Sequence, residues 1–165
     1  INEIQLLEEE KARIREEYER ETKEAEALLD KTSKVLSDMT QYTSIISVDG
    51  WDHKLFCGGT SFIIGYTDYQ DIHRDVKKIK NILTALDHKE KLLEVINRDL
   101  QKKINILIGP EIECSDIDGC SLVVSSYASK TGPSGRIAVL GPTRMNYNRV
   151  VSALDYFSRL MEELL

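Results

Sequence analysis

Tyr42-Thr43-Ser44-Ile45-Ile46-Ser47-Val48, closed by Asp49-Gly50, and Lys54-Leu55-Phe56-Cys57, closed by Gly58-Gly59, are the stretches on which the fold turns. Both runs are rich in β-branched and aromatic residues, which fit a pleated, half-buried surface. Asp-Gly favours a tight turn because both residues tolerate positive φ. The expected unit is a hairpin of two short strands.

Towards the amino terminus the pattern changes. Residues 1–41 contain neither Gly nor Pro and are dominated by Glu, Lys, Arg, Ala and Leu, so one long helix is expected. Ile4, Leu7, Ile14, Tyr18, Ala25, Leu28, Val35 and Met39 fall on steps of three and four, forming one stripe that Lys11, Glu21 and Thr32 interrupt. Two readings stand side by side: an amphipathic helix lying on its own domain, or a connecting or coiled-coil helix packed on a partner. At about 1.5 Å per residue the helix approaches roughly 60 Å, more than a domain of the remaining residues spans, so part of it should project. Ile4, Leu7, Ile14 and Tyr18 are its candidate interface residues.

Towards the carboxy terminus two helices are expected. The first covers about residues 71–85, with Ile72, Val76, Ile79 and Leu83 facing inward. The second opens at Asp87, with Glu90 as capping-box partner and Leu92, Leu93, Ile96 and Leu100 as its apolar face. Residues 104–108 alternate as a strand ended by Gly109-Pro110. Residues 121–127 and 136–140 are further strands around a turn-rich loop at 130–135, and Gly141-Pro142 should break the last one. A closing helix over 146–165 presents Val150, Val151, Leu154, Phe157, Leu160 and Met161. The order αββααβββα predicts an α+β fold, an antiparallel sheet with packed helices preceded by a long helix. Residues 1–41 and 42–165 are its two parts.

Charge narrows the function. The 165 residues carry a net charge of −6, and residues 1–41 hold 7 Lys/Arg against 12 Asp/Glu, leaving 15 against 16 elsewhere. Such a surface repels phosphate, so the chain is not expected to grip nucleic acid by itself. No apolar run approaches the roughly 18 residues that cross a bilayer. Three cysteines, Cys57, Cys114 and Cys120, and no secretory signal point to reduced thiols and a cytoplasmic location. The chain opens at Ile1 rather than Met, so it is expected to be part of something longer.

Reactive constellations do not assemble in the sequence. Cys114 and Cys120 are too widely spaced for a zinc hairpin, and His53, His73, His88 and Cys57 form no second ligand pair. Ser129-Lys130-Thr131 lacks the Gly that a phosphate loop needs before its Lys. Gly58-Gly59-Thr60-Ser61 is read as a close backbone approach in the core, with anion binding through its N–H groups as the alternative. No Gly-x-Ser-x-Gly elbow surrounds Ser125 or Ser126. Glu111, Glu113, Asp116 and Asp118 read as a solvated loop. Neither enzymatic activity, nor a metal, nor a cofactor is expected.

The most distinctive stretch is Gly135-Arg136-Ile137-Ala138-Val139-Leu140-Gly141-Pro142-Thr143-Arg144-Met145-Asn146-Tyr147, leading into Arg149-Val150-Val151. It resembles the carboxy-terminal signature of HrcA, the heat-inducible transcription repressor family of bacteria. Phe56-Cys57-Gly58-Gly59-Thr60-Ser61 resembles the family's Gly-Gly-Thr-Ser strand end, with Phe62 where Asn is frequent. Residues 28–43 resemble its entry helix and Thr-Gly-Tyr-Thr turn, with Gln41 in place of Gly. Residues 104–111 are similar to its strand ending Ile-Gly-Glu, with Pro110 inserted, and Cys120-Ser121-Leu122-Val123-Val124 to its Cys-Ser-Val-Val strand. The resemblance covers about residues 28–165. It implies a GAF-like regulatory domain of a dimeric repressor. Such a repressor silences class I heat-shock chaperone operons by binding an inverted-repeat operator through a winged helix, and GroEL chaperonin keeps it active. That winged helix is not in this sequence, so residues 1–41 read as the connecting and dimerisation helix. Only residues 49–55 stand where the family carries an inserted dimerising domain. Small-molecule sensing by a GAF-like domain is the alternative function.

Overall fold

The Gly-free amino-terminal segment is helical throughout, as α1 (Asn2–Thr40). In the computed structural model the described residues are 2–52, 54–67, 72–98 and 101–165; the side chains of residues 2–7 and 72 lie outside that description. The expected interface residues Ile4 and Leu7 therefore fall outside it, as do His53, Asp71 and Leu100.

Strands β1 (Thr43–Val48) and β2 (Leu55–Gly58) pair antiparallel, Ser44 opposite Gly58 and Ser47 opposite Leu55. The hairpin is as expected, but its connection is longer than a two-residue Asp-Gly turn. The Trp51 N–H donates to Val48 O and the Lys54 N–H to Trp51 O. A 3-10 helix, Thr60–Tyr66, follows. Next come α2 (Ile72–Asp87), α3 (Lys89–Ile96) and β3 (Ile104–Ile108). Two short 3-10 turns, Gly109–Ile112 and Ser115–Ile117, carry the acidic loop. The chain ends with β4 (Cys120–Ala128), β5 (Ser134–Pro142) and α4 (Tyr147–Leu164). The sheet order is β2-β1-β5-β4-β3, with every neighbouring pair antiparallel.

Alternation along the strands gives the sheet two apolar faces, and each is covered. On one, Ile45, Leu122, Val124, Ala138 and Leu140 pack with Ile63, Tyr66, Ile82, Leu92 and Ile96 of the 3-10 helix, α2 and α3. On the other, Ile46, Val123, Ile137 and Val139 pack with Leu29 and Leu36 of α1 and Val150, Leu154, Phe157 and Met161 of α4. The result is a GAF-like α+β domain of three layers.

Four local expectations are corrected. On α1, Val35 and Met39 are exposed; the buried face is Leu29, Thr32, Ser33, Leu36, Ser37 and Thr40. On α2, Val76 and Leu83 are exposed while Ile82 and Ala85 are buried, because the helix is rotated by about one position from the chosen face. Asp87 does not cap α3: it is the last residue of α2, and His88 precedes α3 without a side-chain cap. Gly141-Pro142 does not break β5, since Gly141 and Pro142 still pair with Ser121 and Cys120 at the strand end.

Candidate functional site

The two motif segments far apart in sequence meet on the carboxy-terminal third of α1. Gly58 ends β2 directly beneath the helix: a Cβ there would lie 2.4 Å from Ser33 O and 2.9 Å from Ser37 Oγ. Gly59, at φ +68°, meets Ser37 Cβ at 2.6 Å and Tyr42 O at 2.9 Å in the same sense. Only glycine permits this approach and this backbone conformation together. The small side chains of Ser33 and Ser37 make room from the helix side. Their hydroxyls donate to Asp30 O and Lys34 O, so they are buried at little polar cost. Ser44 Oγ on β1 donates to Ser33 O, and Thr43 Oγ1 donates to Gly59 O at 3.1 Å, lacing helix, hairpin and sheet together.

The second segment closes the end of the helix. Arg149, in the first turn of α4, donates from Nε (3.3 Å) and Nη2 (2.9 Å) to Met39 O, one of the terminal carbonyls α1 leaves without a helical partner. A cation at a helix carboxy terminus also opposes its dipole favourably. Asn146 Oδ1 caps α4 by accepting from the Arg149 N–H at 3.2 Å, which fixes where the Arg149 side chain starts. Gly141 is backed by Tyr42 and Met145: a Cβ would sit 3.1 Å from Tyr42 Cδ1 and 2.7 Å from Met145 Sδ. Tyr147 Oη donates to Thr143 O and lies 2.7 Å from Ser121 Oγ, bracing the turn against β4. Thr60, Ser61, Thr143 and Arg144 are exposed, and Pro142 and Met145 half-buried, so these signature residues shape the turns rather than line a pocket.

Sequence reasoning gave no structural role to two residues of this junction. Gln41 sits at φ +63° just past the end of α1, its N–H donating to Ser37 O at 2.7 Å. That left-handed position is the one where the family pattern has Gly, and the substitution itself was the readable signal. Tyr66 inserts its hydroxyl between β1 and β5: it accepts from the Thr43 N–H at 2.7 Å and donates to Leu140 O at 2.9 Å. Burial raises its pKa from 10.0 to about 12. No local pattern announces that contact across 74 residues of sequence.

Beyond the junction α1 leaves the domain. Residues 8–24 are exposed, including the expected interface residues Ile14 (54%) and Tyr18 (66%). An open cleft of about 560 Å³, lined by Glu21, Glu24, Ala25, Leu28, residues 131–133 and the end of α4, marks where helix and domain part.

The remaining candidates stay apart. All three cysteines are free, and burial pushes Cys57 and Cys120 up to about 11, which leaves little thiolate at neutral pH. No group of three His, Cys, Asp or Glu side chains is placed to hold a metal among the described residues. Ser129 Oγ donates to Pro133 O, a turn rather than a phosphate cradle. Between the sheet and its covering helices, Ile45, Ile63, Tyr66, Ile82 and Leu92 belong to one apolar cluster. Among the described residues no helix is long and apolar enough to cross a membrane.

Comparison with known proteins places this geometry. A sequence model described as HrcA protein C terminal domain matches residues 47–151. The heat-inducible transcription repressor HrcA of Carboxydothermus hydrogenoformans is 29% identical over 138 residues, covering 84% of this chain and 37% of that protein. The protein of the same name from Desulforudis audaxviator is 32% identical over 121 residues, covering 72% and 34%. The chain thus spans about a third of the length of the curated relatives it matches. A crystal structure described as a hypothetical protein at 2.2 Å resolution superposes with a TM-score of 0.63 at 9% identity, covering 84% of this chain and 69% of that one, a likeness of fold alone.

Proposed function

The chain belongs to the HrcA family, and from that membership we propose that it is the regulatory, dimer-forming part of a heat-inducible transcription repressor. In this reading α1 joins the GAF-like domain to a winged helix outside this chain. That winged helix reads an inverted-repeat operator of chaperone genes, and a GroEL-type chaperonin stabilises the folded repressor in the cytoplasm. The observation that carries the reading is the convergence of Gly58-Gly59 and Gly141–Arg149 on α1 between Ser33 and Met39.

The physics of operator binding explains why a junction of that kind matters. A two-fold operator is read by two copies whose reading helices are held at fixed spacing. A single helix fixed at its base by the sheet, the hairpin and Arg149 transmits orientation to whatever it carries. Temperature enters through stability: a marginally stable core loses its folded population on heating, and a protein that binds only the folded form restores it. No reactive centre is needed for either step.

The experiment joins a winged-helix module of the family to the start of α1 and measures retention of inverted-repeat DNA. The fusion is expected to bind, the present chain alone not to bind, and Arg149→Ala in the fusion to weaken binding more at 42 °C than at 25 °C. Tight operator binding by the unfused chain, or turnover of a substrate by it, contradicts the proposal.

A further inference from the structure

We infer that the projecting part of α1 pairs with the same segment of a second copy of this chain as a parallel, in-register two-stranded coiled coil. The inference rests on the dimer-forming reading above and adds its partner, orientation and register. From Glu8 to Glu24 every side chain is exposed, Ile14 and Tyr18 among them. A solitary helix of that length is marginal in water, and burial of an apolar seam is what ordinarily sustains it.

The seam has an unbroken three-four spacing. Lys11, Tyr18, Ala25, Thr32 and Met39 take the a positions, and Ile14, Glu21, Leu28 and Val35 the d positions. Leu7 extends it by sequence. The junction with the domain takes Leu29, Ser33, Leu36 and Ser37 and also buries Thr32 of the seam, with Ala25 and Leu28 half-buried, while Val35 and Met39 stay exposed. The pairing therefore uses the projecting part of the seam, Lys11 to Glu21, which the junction leaves free.

Charge decides the occupant and its direction. Glu10, Glu17 and Glu24 all occupy g positions, and Glu8, Arg15 and Thr22 the e positions. An antiparallel pair sets g against g and so glutamate against glutamate. A parallel pair sets each g against the e five residues on, so Glu10 meets Arg15 of the second copy, twice by symmetry, and Glu17 meets Thr22. One like-charge pair, Glu3 with Glu8, falls at the amino-terminal end. Lys11 and Glu21 in the seam favour two strands and one register at the expense of affinity.

The test uses the whole chain. Sedimentation equilibrium is expected to show a reversible dimer. Glu10→Lys and Arg15→Glu should each weaken it by about threefold to tenfold, and the two together should restore it to within about twofold. Glu21→Leu, which fills the seam, should tighten it by about tenfold or more. Under mild oxidation Ile14→Cys should give a covalent dimer, since same-residue d positions of a parallel pair lie within disulfide reach, and Glu16→Cys on the outer face should not. A dimer indifferent to the charge swaps, with no Ile14→Cys cross-link, removes the coiled coil and leaves the dimer-forming reading standing. A monomer at every concentration, Glu21→Leu included, removes both. Protection of Tyr18 only on adding an unrelated protein's helix assigns the seam to another partner and also overturns the inference.

Discussion

Replacing Gly58 by Ala should unseat α1 from the sheet. A Cβ at that position lies 2.4 Å from Ser33 O and 2.7 Å from Ser33 C, both backbone atoms of a helix that has no rotamer to move. An ordinary carbon–oxygen contact needs about 3.3 Å, so helix and hairpin must separate by close to 1 Å. That displacement also pulls Ser33 O away from Ser44 Oγ and loosens Leu29 and Leu36 against Ile46 and Phe56. Overpacking of this kind costs about 1–3 kcal/mol, and a lost buried hydrogen bond about 1 kcal/mol more. The expected destabilisation is therefore about 2–4 kcal/mol. Urea denaturation followed by far-UV circular dichroism reads it as a fall in midpoint at constant slope. Gly65→Ala is the internal control: no atom lies within 4 Å of its Cβ and its φ is ordinary, so it should be neutral or slightly stabilising. If Gly58→Ala unfolds within about 0.5 kcal/mol of the parent, well under the overpacking cost, the close approach of hairpin and helix does not carry the junction.

Three further outcomes follow from the same geometry. Gln41→Gly should stabilise the chain by about 0.5–1 kcal/mol, because it relieves a left-handed residue at the end of α1; a lowered urea midpoint refutes this. Tyr66→Phe leaves the Thr43 N–H and Leu140 O facing each other across an empty site and should cost about 1–3 kcal/mol, or roughly 2–12 °C in Tm by calorimetry; an unchanged Tm counts against the wedge. Burial raises Cys57 and Cys120 from 9.0 to about 11 and Tyr66 from 10.0 to about 12. The folded state thus keeps protons that the unfolded state releases, so stability is intact below pH 9 and declines as pH rises through 11 and 12. Urea midpoints from pH 8 to 12 check the sign, and a flat or rising profile contradicts it.

Where the sequence was legible, local chemistry and burial agreed. The strand at Ile104–Ile108 was read with its true limits because alternation stops at Gly109-Pro110. The inward face of α4 was readable because Val150, Leu154, Phe157 and Met161 are large, apolar and correctly spaced. The face of α1 that meets the domain was not legible, for a physical reason. Its buried face is carried by Thr32, Ser33, Ser37 and Thr40, whose hydroxyls donate to carbonyls three or four residues back and so cease to be polar in effect. Small residues were needed there because Gly58 approaches so closely, and that is visible only once hairpin and helix are together. Ile14 and Tyr18 are exposed, which follows from where the fold leaves α1 and not from their spacing. On α2, Ile79 fits two overlapping periodicities, and only packing chose Ile82 and Ala85 over Val76 and Leu83.

Amide hydrogen exchange along α1 tests most directly whether the two motif segments hold the helix rigidly to the sheet. Amides of residues 33–40 should exchange no faster than those of Ile45, Val123 and Val139 in the sheet, opening only when the whole domain unfolds. Exchange there many times faster than in the sheet would mean that the helix detaches by itself, and a lever that detaches at its base cannot orient anything it carries.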